Sequence, residues 1–345
     1  MIPHSRPSIT KKEKDIIAKV LKTKNLSQST YTELFEKRLC EYIGSNHSIA
    51  VSSGTSAIFL LLKALELKKG DKVIIPNYVC SSVYYAVLWA GCRPVSCEVD
   101  RNGIIDEEKL NELIDDKTAA IIGVNLFGKL FTLRNNYKIP IIDDAAQSIG
   151  GYDKSGKSGI RTGMGICSFY ATKVITSLGN GGAVFINDSS LYQKIINMRK
   201  NDISKTDKFE HFQLRLSDVN AGFGIIQLKR INELLKRRRN IYNYYVAELK
   251  RYEIELPIFK ANETIFRFII KLKKPDKFTD FMLKQGVECK RPVALPVHKI
   301  MNITENKFPV SNELLKSSVS IPLYPDLRSS EIEFIIKSIK KYFNK

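Results

Sequence analysis

The chain has 345 residues, 43% of them apolar and 26% charged, a balance that suits a soluble globular protein with a sizeable core and excludes a disordered one. Lys plus Arg number 55 against 36 Asp plus Glu, and the net charge of +19 favours anionic partners such as phosphorylated metabolites, nucleic acid or acidic lipid without choosing among them. The apolar run over 78–92 is too short for a membrane helix, which needs ~20 residues, and the N-terminus lacks the apolar core of a signal peptide. The six cysteines form no C-x-x-C pair and the four histidines no i, i+4 pair, so no metal site is expected and a reduced, cytoplasmic protein is.

In chain order, short apolar runs alternate with amphipathic stretches, the rhythm of an α/β domain. Strands are predicted over 48–51, 72–75, 94–97, 119–124, 139–142, 166–169 and 183–186, with helices over 55–67, 81–90, 106–114 and 190–200. The sum is a mostly parallel seven-stranded sheet with helices on both faces. A long helical stretch over 218–252 carries Leu228, Ile231, Leu235, Tyr242, Tyr245 and Leu249 on one face. Its run Lys236, Arg237, Arg238 and Arg239 reads as a solvated or snorkelling face. A strand over 267–272 and helices over 275–285 and 330–343 then read as a smaller α+β domain. Placing the boundary near Arg238 gives a large α/β domain, 1–237, and a small C-terminal domain, 238–345.

Three segments carry chemistry. Ser52-Ser53-Gly54-Thr55-Ser56-Ala57 joins a strand to a helix. The unpaired N–H groups of a helix N-terminus, a glycine that allows close approach and several hydroxyls make a phosphate cup; the same residues also read as a plain helix cap. Neither the Walker A nor the G-x-G-x-x-G spacing is present. Asp143 and Asp144 end an apolar strand, where ligands bind in open α/β sheets. Alternation along a strand turns the two carboxylates to different faces, one to the cleft and the other to the turn, unless both serve the turn alone. Lys173 follows the segment Ser168-Phe169-Tyr170-Ala171-Thr172 and precedes Gly179-Asn180-Gly181-Gly182, an unusual place for a merely solvated charge. Together a lysine, an anion cup and an acid suit a cofactor with an aldehyde, a phosphate and a ring nitrogen, which is pyridoxal 5'-phosphate.

With these segments on view, the chain resembles the DegT/StrS-type aminotransferases, fold-type I pyridoxal-phosphate enzymes that act on nucleotide-linked keto-sugars. The likeness also rests on Arg6-Pro7, Phe35-Glu36, the G-D-K-V-I-I-P run at 70–76, A-G-C-R-P-V at 90–95, D-D-A-A-Q at 143–147, Gln227-Leu228, L-P-V-H at 295–298 and S-I-P-L-Y-P at 320–325. The resemblance implies that Lys173 forms the Schiff base, that Asp144 pairs with the pyridine nitrogen and that Gln147 contacts the ring hydroxyl region. It implies that Gly54, Thr55 and Ser168 hold the phosphate. It further implies a homodimer with shared active sites, in which Gln213, standing where the family has Asn, reaches the partner's cofactor. His298 is implied near the substrate mouth. Arg291, with Lys290, is a candidate contact for a substrate phosphate, or one of a solvated pair.

The sequence departs from the family at three places. Val79-Cys80 stands where Thr-Phe is usual, so Tyr78 or Tyr84 supplies the ring face or the stack is missing. Asn180 replaces a glutamate, and the segment 128–138 is too short for the usual connecting helix. A lysine rather than a histidine at 173 favours transamination over sugar dehydration. The expected function is transfer of an amino group, from glutamate, to a keto group of a nucleotide-linked sugar for surface polysaccharide or glycoconjugate biosynthesis. Two alternatives stand beside it. One is an enzyme with the same cofactor and a non-sugar substrate. The other is a non-catalytic basic binding or regulatory protein, against which stands the lack of any helix-turn-helix, zinc-finger or RNA-binding motif.

Overall fold

The computed structural model describes residues 1–199 and 210–344. Two helices precede the first strand: α1 (Lys11–Lys22) and α2 (Thr30–Ile43). The sheet then builds by alternation. β1 (His47–Val51) leads to α3 (Gly54–Ala64), β2 (Lys72–Pro76) to α4 (Ser81–Trp89), and β3 (Arg93–Cys97) to α5 (Glu107–Leu113). Next come β4 (Thr118–Val124), β5 (Ile141–Asp144), the small hairpin of β6 (Tyr152–Asp153) and β7 (Gly156–Lys157), then β8 (Met164–Ser168) and β9 (Gly182–Ile186). After α6 (Ser189–Arg199) come α7 (Asp218–Lys229) and α8 (Ile231–Leu249). The last part holds β10 (Phe268–Lys271), α9 (Pro275–Lys284), α10 (Val297–Ile300), α11 (Pro309–Ser317), β11 (Ser318–Ile321) and α12 (Ser329–Phe343).

The seven-stranded sheet has the order β1-β9-β8-β5-β4-β2-β3. All neighbours are parallel except β9, which runs antiparallel to both β1 and β8. Its central strands are buried along their length, as expected for a sheet covered on both faces. One face packs α3, α4 and α6 through residues such as Leu60, Leu61, Val87 and Ile195. The other packs α2 and α7 through Phe35, Leu39, Phe185 and Ile225. A separate cluster holds Phe268, Phe278, Ile321 and Ile335 around the β10–β11 pair.

α8 runs from one core to the other: Ile231 and Leu234 pack with the large-sheet cluster, and Ile241, Tyr245 and Leu249 with the small one. Ile2 also packs in the small cluster and pairs with Val287, so the first residues of the chain lie on the C-terminal part of the fold.

The expected long helix over 218–252 is two helices. The chain breaks at Arg230, whose guanidinium is held by Glu13 at 2.7 Å and Glu233 at 3.1 Å. The basic run is a solvated face only in part: Lys236 is exposed, and Arg237 and Arg239 are half-buried. Arg238 is buried and donates to the carbonyls of Phe266 and Leu323, while Arg237 donates to Leu327 O and Arg239 to Glu263 O. Between β4 and β5 only a single 3-10 turn, Leu126–Gly128, is helical. The loop that follows is pinned by Glu107, which accepts from the N–H groups of Arg134 and Asn135.

Candidate functional site

A cavity of about 360 Å³ opens at the C-terminal ends of β5 and β8 and at the N-terminus of α3. Gly54, Thr55, Asp144, Gln147, Ser168 and Lys173, brought together from three separate stretches of chain, all line it.

The last two residues of β5 turn to opposite sides. Asp143 is fully buried away from the cavity, where Arg161 grips it through two nitrogens at 3.0 and 3.1 Å. Asn125 Nδ2 and the Gly159 N–H also donate to Asp143. Asp143 therefore fixes the loop behind the sheet. Asp144 faces the cavity, 3% exposed, and accepts from the Ala146 N–H at 2.8 Å; no ion pair satisfies it among the described residues. Burial pushes its carboxyl up to about 6, against the Ala146 N–H and the Lys173 charge, which favour the ionised form. A buried carboxylate with an open oxygen is poised to take a cationic N–H.

Lys173 sits in a closed loop after β8. Its N–H donates to Tyr170 O, Ala171 N donates to Gly179 O, and Ser177 N donates to Phe169 O, each at 2.9 Å. Burial pulls its ammonium below the usual lysine range, with the Asp144 carboxylate opposing. The effect of desolvation is to favour the neutral amine, the nucleophilic form. Its Nζ lies 5.5 Å from the Phe266 ring centre.

At α3, Ser53 caps the helix by accepting from the Ser56 N–H at 3.0 Å, and the hydroxyls of Ser52, Ser53 and Ser56 bond to one another. Those three hydroxyls are used within the cap, so the anion donors that remain are the Thr55 hydroxyl and the first N–H groups of the helix. Gly54 is required by packing as well as by any anion: a Cβ there would lie 2.8 Å from Ser168 Cβ. A Cβ on Gly182 would lie 2.4 Å from the Ser53 carbonyl. Gln147 Oε1 accepts from the Phe127 N–H at 2.8 Å, which leaves its amide nitrogen free to donate.

Other expected residues are not in the cavity. His298 is fully buried, bonded to Asn77 through both its backbone N–H and Nδ1 at 2.9 Å and stacked on Phe308. It does not line the cavity. Arg291 pairs with Asp276 at 2.9 Å and donates to Ser318 O, and Lys290 pairs with Glu288 at 3.0 Å. Neither lines the cavity. Gln213 is exposed outside the cavity of its own chain, beside Leu214, whose carbonyl accepts from Ser52 N. Tyr78 is buried in the core and Tyr84 packs on Tyr85. The walls are instead formed by Val79, Cys80, Ala146 and Ile166. Sequence reading did not single out Phe266, which packs in the large-sheet cluster with its ring centre 5.5 Å from Lys173 Nζ; no local pattern marks it.

A family model described as the DegT/DnrJ/EryC1/StrS aminotransferase family matches residues 7–340. The chain belongs to that family. It is 24% identical over 364 residues to the GDP-perosamine synthase of Escherichia coli O157:H7, covering 99% of both chains. It is 33% identical over 267 residues to the UDP-4-amino-4,6-dideoxy-N-acetyl-beta-L-altrosamine transaminase of Campylobacter jejuni, covering 73% of this chain and 70% of that one. Its fold matches a Streptococcus pneumoniae protein solved in PLP-form, with a TM-score of 0.89, 22% identity and coverage of 99% and 98%.

The protein is therefore a fold-type I aminotransferase, and its cofactor is pyridoxal phosphate. The residues present fit that group. The open carboxylate of Asp144 suits a pyridinium, the desolvated amine of Lys173 suits an aldehyde, and the α3 N-terminus suits a phosphate. The cavity volume falls within the ~300–1,000 Å³ usual for such sites.

Proposed function

We propose that this family member moves an amino group from glutamate to a ketone on a nucleotide-linked sugar, serving surface polysaccharide or glycoconjugate biosynthesis. The names of relatives that make GDP- and UDP-linked amino sugars support the substrate class. The observation that carries the reading is Lys173 facing Asp144 across one cavity that ends at a helix N-terminus.

When bound, pyridoxal phosphate supplies an aldehyde that takes up an amine and a ring that stores an electron pair. In this reading Asp144 keeps the ring nitrogen protonated. Thr55, Ser168 and the N–H groups that follow Ser53 hold the phosphate. Gln147 orients the ring through its amide nitrogen. Lys173 Nζ would serve as the acid and base of the 1,3-proton shift, taking the proton from the donor's α-carbon and delivering it to the carbon that had been the aldehyde. The chain works as a cytoplasmic homodimer in which Gln213 reaches the partner's phosphate, with domains dividing at 237/238. No helix among the described residues is long and apolar enough to cross a membrane.

Purified protein given the cofactor shows an absorbance band at the visible edge, and glutamate bleaches it. Lys173→Ala abolishes the band. No band after cofactor addition removes the proposal.

A further inference from the structure

A second pocket, of about 140 Å³, opens between the turn after β4 and the β10–β11 pair, and it shares no lining residue with the cofactor cavity. Antiparallel pairing sets Lys271 opposite Ser318 and Ile269 opposite Ser320. Val319 and Ile321 of β11 pack into the small core, so alternation turns Ser318, Lys271 and Ile269 to the other face, which forms one wall of the pocket. Ser318 is 1% exposed, and its hydroxyl makes no hydrogen bond among the described residues. The Tyr78 hydroxyl bears on the same serine without bonding to it. A buried hydroxyl left unmet is costly, and such a group at a pocket wall has room for a partner that comes from outside.

The opposite wall supplies a cation. Lys129 is half-buried and donates to Asn102 Oδ1 at 2.5 Å, with its Nζ 5.6 Å from the Phe259 ring centre. Asn102 is held in turn by Asp100, which accepts from its N–H and its Nδ2. No carboxylate pairs with Lys129 among the described residues, and burial pulls its ammonium below the usual lysine range, against the more distant charges of Glu263, Asp100 and Glu255. The acid in the wall, Glu255, is taken by Lys271 at 2.5 Å. Phe259, Ile269 and Leu314 make the remaining surface apolar. Apolar walls with a few convergent polar groups are the usual make-up of a small-molecule site, and a cavity of ~150 Å³ takes one benzene ring. We propose that this pocket binds a monocarboxylate built on a single six-membered ring, its carboxylate met by Lys129 and the Ser318 hydroxyl and its ring by Phe259, Ile269 and Leu314. A monoanion suits one desolvated ammonium beside an acid that already has its partner. Nothing in the assignment depends on Lys173 or on the cofactor.

Calorimetry on the full chain saturated with pyridoxal phosphate tests this with benzoate, benzamide and acetate. Benzoate binds about tenfold or more tightly than benzamide, which keeps the ring and loses the charge, and than acetate, which keeps the charge and loses the ring. Lys129→Met keeps the stem of the side chain without its charge and weakens benzoate about tenfold. Ser318→Ala weakens it about fivefold, yet its urea midpoint stays at or above that of the parent, because the substitution deletes a hydroxyl that has no partner. In both variants the cofactor absorbance and its response to glutamate match the parent, which separates the loss from any change in the cofactor cavity. Benzoate that binds the parent and both variants alike overturns the assignment, since the anion then sits elsewhere. Benzamide that binds as tightly as benzoate overturns it as well. A parent that takes up no benzoate also overturns it, leaving a pocket filled by water alone.

Discussion

Asp144 is where the demands of folding and of chemistry separate. Its carboxyl is raised from 3.8 to about 6, with burial the largest cause. A carboxyl whose folded pKa lies above its unfolded value costs the folded state nothing below the unfolded value; the cost grows as pH rises between the two and is complete above the folded one. In the cofactor-free protein Asp144 is therefore a liability at neutral pH. Asp144→Asn mimics the protonated form. Urea titrations of the cofactor-free proteins test this: the stability of the variant relative to its parent grows by about 2–3 kcal/mol between pH 4 and pH 7. The same substitution lowers turnover of the loaded enzyme by at least about a hundredfold, since an amide cannot hold the ring nitrogen protonated. Asp143, one residue earlier, shows the opposite arrangement, its charge fully met by Arg161 and Asn125. The pairing of two such neighbours was legible in the sequence, because a strand must alternate. Which of them Arg161 would hold was not, because that contact comes from the loop after the β6–β7 hairpin.

At the scale of elements, the strands of the large sheet were the most legible feature. Their apolar runs are continuous, and their ends agree with expectation within two residues. α1 and α2 were not predicted. α1 did carry a local signal: Thr10 and Glu13 form a capping box. α2 is secured from a distance. Asp218, at the start of α7, accepts from the N–H groups of Ser29, Tyr31 and Thr32 and from the Thr32 hydroxyl. One buried side chain thus supplies the cap that Ser29 does not. Asp218→Ala leaves those donors unpaired and costs about 3 kcal/mol, read as a lower urea midpoint with an unchanged slope. The split between α7 and α8 is likewise tertiary. Arg230 reaches back to Glu13, and no periodicity within 218–252 announces a break there.

At the scale of the whole molecule, the site is assembled from parts that the chain order keeps apart. The sheet brings Asp144 and Ser168 side by side, since β5 and β8 are neighbours in it. The α8 helix links the two hydrophobic clusters, and the chain just before β10 places the Phe266 ring centre 5.5 Å from Lys173 Nζ. Exposed Gln213 makes no contact with its own cavity, and the proposed homodimer gives it one. Sedimentation is expected to return a mass twice the 39.2 kDa of the chain. Gln213→Ala then weakens cofactor affinity severalfold without altering that mass; unchanged affinity removes the shared-site arrangement.

The sequence by itself determined the α/β rhythm, the cup at the start of α3, the acid at the end of β5 and the lysine after β8. Each is a local pattern whose physics spans a few residues: alternation, capping, glycine at a close approach. Only the tertiary structure decided that His298 and Arg291 lie outside the cavity, that Arg238 of the basic run turns inward, and that Arg161 holds Asp143 while Asp144 faces the cavity. Those outcomes depend on which distant groups share a desolvated volume, and the free energy of a buried charge is set by its neighbours in space rather than in sequence.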